Sequence, residues 1–366
     1  MTDSAITARL IAVGDLQLGD SATCVGFGFR SRVSDQGLRN ALQRFALLVG
    51  PSDLGFANLE TPLSDIGLRR SRRSRQLRGD PAYAGVLRSG GFTVLNVANN
   101  HALEHGAEAF QDSVSRVKTL DIAVCGQRGS GAWASQPVVR AVKGLSVGFL
   151  GYSMRPTQTD STGRLHAEAS GAQIVADVHR LLPDAKCIVV SLHWGEEFAE
   201  VPSAAEVALA HAIVDAGAAV VLGHHPHVAR PVERYRNSVI AYSLGNFAGD
   251  MIWYGPHRRG LLLDCDLMAH GVQRARVYRT HVDASCLPSL DMADPVQVAG
   301  TVSGLPEAEY TRLARETVQA QRRALYVYTL RNAWRFSPGI LYDLAATTLR
   351  GKVIRLSGGQ RDEIWG

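Results

Sequence analysis

The chain has 366 residues, 46% of them hydrophobic and 20% charged. That balance excludes intrinsic disorder and supports a sizeable core in one large α/β domain or a domain with an appendage. The net charge of +5 is carried almost wholly by arginine, since Lys118, Lys143, Lys186 and Lys352 are the only lysines, so the basic groups suit bidentate contact with carboxylate or phosphate; a genomic base-composition bias produces the same count.

Apolar runs and helical patterns alternate along the chain. Residues 6–13 form an apolar run ending at Gly14-Asp15, 38–49 have helical spacing, and 55–59 form a short strand ending at Glu60. The pattern repeats with a strand at 92–98 that ends at Asn99-Asn100-His101, a helix at 104–120 and a strand at 122–124. Residues 138–142 and 146–152 read as a hairpin. Then follow a helix at 173–182, a buried strand at 187–193, a helix at 204–216 and a strand at 218–223. Short strands at 232–235 and 238–242 precede antiparallel strands at 260–266 and 272–281. The alternation indicates a layered α/β domain with parallel pairing. We read 1–285 as that domain, 286–305 as a linker rich in Pro, Asp and Gly, and 306–366 as a helical extension.

The segment Gly223-His224-His225-Pro226-His227 places three histidines within four positions at the end of an apolar strand. Strand side chains alternate faces, so His225 and His227 are expected to point the same way. In layered α/β folds ligands gather beyond the carboxyl ends of the strands. Asp15, Glu60, Asn100, His193 and His225 all fall at such ends. Two carboxylates, an amide oxygen and imidazoles suit two divalent ions about 3.5–4 Å apart. Mixed nitrogen and oxygen ligation favours Mn, Fe or Zn over Ca or Mg. Five cysteines without CxxC spacing argue against a disulfide framework and a thiolate zinc site.

Taken in order, Gly14-Asp15, Asn58-Leu59-Glu60, Asn99-Asn100-His101, His193-Trp194-Gly195, Gly223-His224-His225-Pro226-His227 and Ser243-Leu244-Gly245-Asn246-Phe247 resemble the bacterial capsule synthesis family CapA. That family is implicated in poly-γ-glutamate capsule synthesis and is related to calcineurin-like metallophosphoesterases. The resemblance spans residues 6–285 and implies a layered αββα sandwich with a dinuclear metal site. It implies that Asp15 binds a first metal and Glu60 bridges both, that Asn100, His193 and His225 bind the second, and that His227 returns to the first. It makes His101 the general acid, held by a neighbouring carboxylate, and Asn58, Asn99, Glu197, His224, Asn246 and Arg78 second-layer or substrate-binding candidates. Two departures stand out: Gln17 replaces the histidine many phosphoesterases carry two residues after the aspartate, and Glu60 replaces the usual bridging aspartate. The first metal site is short of a ligand.

Ordinary structural roles compete with these readings: a turn cap for Asp15, a left-handed turn pair for Asn99-Asn100, a solvated loop acid for Glu60, a hydrogen-bonded core residue for His193. Arg69, Arg70, Arg72, Arg73, Arg75 and Arg78 form either a solvated face or an electrostatic funnel for an anionic polymer. Nucleic acid is disfavoured because aromatics are not interleaved for base stacking. With no basic segment before an apolar run at the start and no stretch near the ~18 apolar residues of a membrane span, a cytoplasmic protein is expected, reaching a membrane through a partner. Three functions remain open: a metal-dependent hydrolase or transferase of an anionic polymer or its precursor in capsule or exopolymer synthesis, a non-catalytic component of a polymer-synthesis complex, and a general phosphodiesterase.

Overall fold

The computed structural model describes residues 8–50, 53–69, 72–156, 165–335 and 338. Arg70, the extension beyond 335 apart from Pro338, and the first residues of the expected 6–13 run lie outside the described residues. In chain order the elements are β1 (Ala8–Leu16), α1 (Phe29–Arg32), α2 (Asp35–Val49), β2 (Leu54–Leu59), α3 (Tyr83–Ser89), β3 (Val94–Asn96), α4 (Gly106–Thr119) and β4 (Ala123–Cys125). There follow β5 (Val138–Val142), β6 (Leu145–Ser153), α5 (Gly171–Leu181), β7 (Cys187–His193), α6 (Ala204–Asp215) and β8 (Val220–His224). The chain continues through β9 (Val232–Tyr235), β10 (Ser238–Ala241), β11 (Asn246–Ala248), β12 (Arg259–Met268), β13 (Gly271–Val282), β14 (Pro288–Val296) and α7 (Glu307–Arg331).

The strands form two sheets. One runs β14-β13-β12-β1-β2-β3-β4, with β11 pairing β1; the other runs β5-β6-β7-β8-β10-β9. β1 to β4 are mutually parallel, as are β6, β7, β8 and β10, whereas β12 to β14 and the edge strands β5 and β9 pair antiparallel. The period-two alternation of buried strands decides the layers. Leu10 and Ala12 of β1, with Phe56 and Val94, pack between the sheets against Val147, Phe149, Val189 and Leu222. The intervening Ile11 and Val13 face the opposite way, onto Leu38, Leu42 and Phe45 of α2 and Val114 and Val117 of α4. On the far side, Ile188, Val190 and Val221 meet Ile174 and Val178 of α5 and Val207 and Ile213 of α6. This is the expected αββα sandwich.

The helices start where their caps dictate. Ser170 and Ser203 each accept a hydrogen bond from the third residue inside α5 and α6, and Gln173 and Glu206 return to the cap backbone, so both helices carry a full capping box.

One expectation needs correction here. The stretch 286–305 was read as a linker, yet Pro288–Val296 is the outermost strand of the first sheet, with Leu290 paired to Thr280. Its alternation is hard to see because charged and small residues fill an edge strand's outer face. The carboxyl ends that deliver candidate ligands belong to both sheets: β1, β2 and β3 lie in the first, β7 and β8 in the second.

Candidate metal centre

The cluster forms where the carboxyl ends of the two sheets meet. Asp15 pairs in parallel register with Asn58 on one side and Asn246 on the other, and His193 pairs with His224 in the second sheet. Gly14 permits the closeness: a Cβ there would lie 1.8 Å from the Gly245 carbonyl oxygen.

His225 and His227 do not converge by strand alternation. β8 ends at His224, and both later histidines adopt left-handed backbone, with φ of 92° and 56°. The expected shared strand face is therefore corrected: a tight bend after the strand turns the imidazoles inward, and their ring centroids lie 6.0 Å apart.

Asp15 is fully buried and well served. Its Oδ1 accepts from Asn58 Nδ2 at 2.9 Å and lies 3.1 Å from His224 Nδ1, while Oδ2 accepts from the His225 backbone N–H at 3.2 Å. Burial alone would raise its pKa, but the His224 contact, the positive field of His224 and His227 and the Asn58 bond outweigh it, so the carboxyl sits below its ordinary range. Glu60 is the opposite case. It is fully buried, and neither carboxylate oxygen has a hydrogen-bond partner among the described residues. Burial first, then the charge of Asp15, pushes its pKa well above the ordinary value.

The contact opposite Glu60 is equally informative. Asn246 Nδ2 donates to the His257 carbonyl at 3.0 Å, which leaves Asn246 Oδ1 to accept from His227 Nδ1 at 2.9 Å. His227 Nε2 then faces Glu60 Oε1 at 3.3 Å, and in the neutral tautomer that nitrogen is an acceptor. Two acceptors facing one another in a buried site need a proton or a cation between them.

His193 and Asn100 lie beside this pair. His193 Nε2 is 2.8 Å from Asn100 Oδ1 and 3.2 Å from His225 Nδ1. Burial, then the neighbouring imidazoles, lower the His193 pKa well below its ordinary value; burial and Arg155 do the same for His225. Both rings are held neutral, the form that binds metal. His225 Nε2 and His224 Nε2 are buried without partners among the described residues. Two groups of ligand atoms lie within 4.8 Å of one another: Asp15, Glu60 and His227, and Glu197, His225 and His227. The orphaned carboxylate, the neutral imidazoles and the mixed donor set fit one or more divalent ions.

The remaining candidates surround this set. Asn99 Nδ2 donates to the Leu59 carbonyl at 2.9 Å and its Oδ1 accepts from the His101 N–H at 3.1 Å, which fixes the turn carrying Asn100 and His101. His101 Nδ1 lies 3.4 Å from Glu104 Oε2. Burial would raise the Glu104 pKa, but the His101 contact outweighs it, so Glu104 remains an ionised anchor. Asn58 Oδ1 accepts from Asn96 Nδ2 at 2.9 Å. Arg78 is buried, and its Nη1 donates to the carbonyls of Ser64 at 2.9 Å and Ile66 at 2.6 Å, bracing the chain that follows Glu60, while Arg69 and Arg75 are exposed.

Sequence reasoning left Glu104, Asn96 and His257 unassigned. Glu104 was signalled by its place three residues after His101, the spacing of neighbours on one helical turn. His257, tilted against Phe198 with ring centroids 4.6 Å apart, carries no local signal.

The model of the family "Bacterial capsule synthesis protein PGA_cap" matches residues 9–251, which include every candidate ligand. The chain belongs to this family. Among curated relatives, the PGA biosynthesis protein CapA of Bacillus subtilis is 30% identical over 277 residues, covering 72% of this chain and 69% of that protein. The capsule biosynthesis protein CapA of Bacillus anthracis is 31% identical, covering 55% of this chain and 52% of that one, about half its length. A protein of Mycobacterium tuberculosis named as a probable polyglutamine synthesis accessory protein is 28% identical, covering 56% and 58%. Among solved structures, the calcineurin-like phosphoesterase YfkN of Bacillus subtilis is 14% identical with a TM-score of 0.44, covering 88% of this chain and 99% of that one. Among the described residues of this capsule synthesis family member, no helix is long and apolar enough to cross a membrane.

Proposed function

We propose that this capsule synthesis family member is a metal-dependent hydrolase or transferase acting on an anionic polymer or its precursor in capsule, poly-γ-glutamate or exopolymer synthesis. The observation that carries this reading is Glu60: a fully buried carboxyl without a hydrogen bond among the described residues, 3.3 Å from His227 Nε2. Left ionised without a partner such a group would cost several kcal/mol, so it takes up either a proton or a cation, and the ligand atoms of Asp15 and His227 beside it favour the cation.

Asp15, Glu60 and His227 would hold one ion, and Asn100, His193 and His225, together with Glu60, a second. Such ions, when bound, polarise the bond under attack and make a water nucleophile available near neutral pH. The protein's own groups do the rest. Asn58 and Asn96 keep Asp15 oriented, and Asn246 fixes the His227 ring. Glu104 anchors His101 through Nδ1, so that Nε2 is the atom that gives a proton to the departing group. Phosphoester and amide cleavage ask the same of these groups, so the substrate class is a matter for assay.

The test is metal analysis of the purified protein followed by a screen against phosphodiester and γ-glutamyl amide substrates with Mn, Zn or Fe added. Turnover that depends on the ion supports the reading. Metal far below one ion per chain with no turnover under any of the three refutes it and favours the second reading, a non-catalytic component of a polymer-synthesis complex, which the name of the Mycobacterium tuberculosis relative supports.

A further inference from the structure

Glu197 has no place in the ligand set carried over from the family, and the structure gives it one. It lies on the loop after β7, half-buried, with a carboxylate oxygen within 4.8 Å of ring nitrogens of both His225 and His227. His225 Nε2 is buried without a partner among the described residues, and Glu197 is one of the charges that raise Glu60. Three carboxylates, Asp15, Glu60 and Glu197, therefore converge on the imidazoles of His225 and His227. The chain meanwhile carries Gln17 where a further imidazole ligand was expected. Its side chain packs against Gly249, where an added Cβ would lie 3.2 Å from Gln17 Cβ.

The loop that carries Glu197 is unusually well fastened. Arg230, buried to 2% exposure, donates through Nε to the Ala199 carbonyl at 2.6 Å, through Nη1 to Glu206 Oε1 at 2.7 Å, and through Nη2 to the Glu196 carbonyl at 3.2 Å. The same Nη2 reaches the Tyr310 hydroxyl of α7 at 3.0 Å, and that hydroxyl accepts from the Glu196 N–H at 2.8 Å. Both backbone polar groups of Glu196 are thereby held. On the other side the Phe198 N–H donates to the Pro226 carbonyl at 2.8 Å, tying the loop to the bend that bears His225 and His227. Phe198 itself is held in left-handed backbone at φ 66°, a conformation that persists only where the surroundings over-determine it.

We propose that Glu197 is a direct ligand of the ion held by His227, the site where the imidazole is missing at Gln17, and that Arg230 and Tyr310 are positioning residues for it. The proposal rests on the metal reading above. It makes the first turn of α7 part of the site's support rather than an independent appendage.

The experiment uses the full chain, stripped with chelator and titrated with Mn²⁺ or Zn²⁺ by calorimetry, with ion counts by atomic emission. Wild type is expected to take up two ions. Glu197→Gln is expected to lose one, or to bind it at least 100-fold more weakly, while the other ion and the far-ultraviolet dichroism stay unchanged. Tyr310→Phe, which keeps the ring and removes only the hydroxyl, is expected to weaken the same ion about 10-fold without altering the other. Two ions at unchanged affinity in Glu197→Gln overturn the proposal and leave the metal reading intact. Loss of an ion in Gln17→Ala with Glu197→Gln unaffected overturns it by assigning the position to Gln17. No uptake by wild type overturns both.

Discussion

Replacing Glu60 by glutamine isolates the electrostatic argument. The side chain keeps its shape and loses its charge, and its amide nitrogen would donate to His227 Nε2, which now faces a carboxylate oxygen at 3.3 Å. In metal-free protein the substitution removes a buried carboxylate without a hydrogen bond among the described residues, a group whose desolvation costs several kcal/mol. The variant is expected to melt at or above wild type near neutral pH. The sign with pH follows from the raised pKa of Glu60. Between the ordinary value of 4.5 and the folded value the native state binds more protons than the unfolded chain, so metal-free wild type loses stability as pH rises through that window. Glu60→Gln abolishes this contribution. Metal reverses the comparison: at an ion concentration about 100 times Kd, wild type gains about 2.7 kcal/mol. For 366 residues at about 2.1 cal/mol/K per residue, that raises Tm by roughly 3–4 °C. Differential scanning calorimetry of both proteins, with chelator and with Mn²⁺ or Zn²⁺, measures all three effects. A variant less stable than wild type in chelator, with an equal metal-induced rise, refutes the reasoning.

His101→Ala is expected to lower turnover about 10²–10⁴-fold while the ion count stays constant; unchanged turnover in a steady-state assay removes His101 from the reaction. His257 is held neutral, its pKa lowered to about 3 by burial first and by His227 second. The unfolded chain binds the extra proton below the ordinary value of 6.5, so this residue costs stability as pH falls from there towards 3. His257→Phe is expected to flatten that acid limb in denaturant melts taken across the range, and an unchanged slope contradicts the assignment. Phe56 stacks on Phe149 between the sheets, with ring centroids 6.1 Å apart. Phe56→Ala is expected to destabilise by about 3–5 kcal/mol, read from urea unfolding with the metal count of the folded protein unaltered.

Much of the sandwich was legible because its strands are buried on both faces and read as continuous apolar runs. Residues 187–193 are the clearest: every position of β7 is buried, and the element spans the expected range. Residues that follow such runs, such as Glu60 after β2 and Asn100 after β3, announce themselves as strand-end groups because a polar side chain abruptly ends an apolar pattern. What was not legible depends on partners remote in sequence. The edge strand β14 mixes Asp, Pro and Met, so no period shows until β13 supplies its hydrogen bonds. The inward turn of His225 and His227 rests on backbone dihedrals that the histidines do not encode themselves; contacts with Asp15 and Asn246 impose them. Arg78 belonged to an arginine run that pattern alone could not divide, and only the fold shows that Arg78 turns inward while Arg69 and Arg75 stay outside.

The distribution of backbone strain bears on how the cluster works. Non-glycine residues in left-handed backbone cost of order 1–3 kcal/mol each, and three of them, Phe198, His225 and His227, lie on two loops joined by the Phe198 N–H to Pro226 carbonyl bond. Each is fastened by a group that does not itself titrate near neutral pH: a backbone carbonyl for Phe198, the hydrogen-bonded Asp15 carboxylate for His225, the Asn246 amide for His227. The imidazoles are thus aimed by the scaffold itself, so an ion binding there would not have to meet the cost of orienting them. A metal site built this way would gain affinity from preorganisation, which would offset an imidazole missing at Gln17.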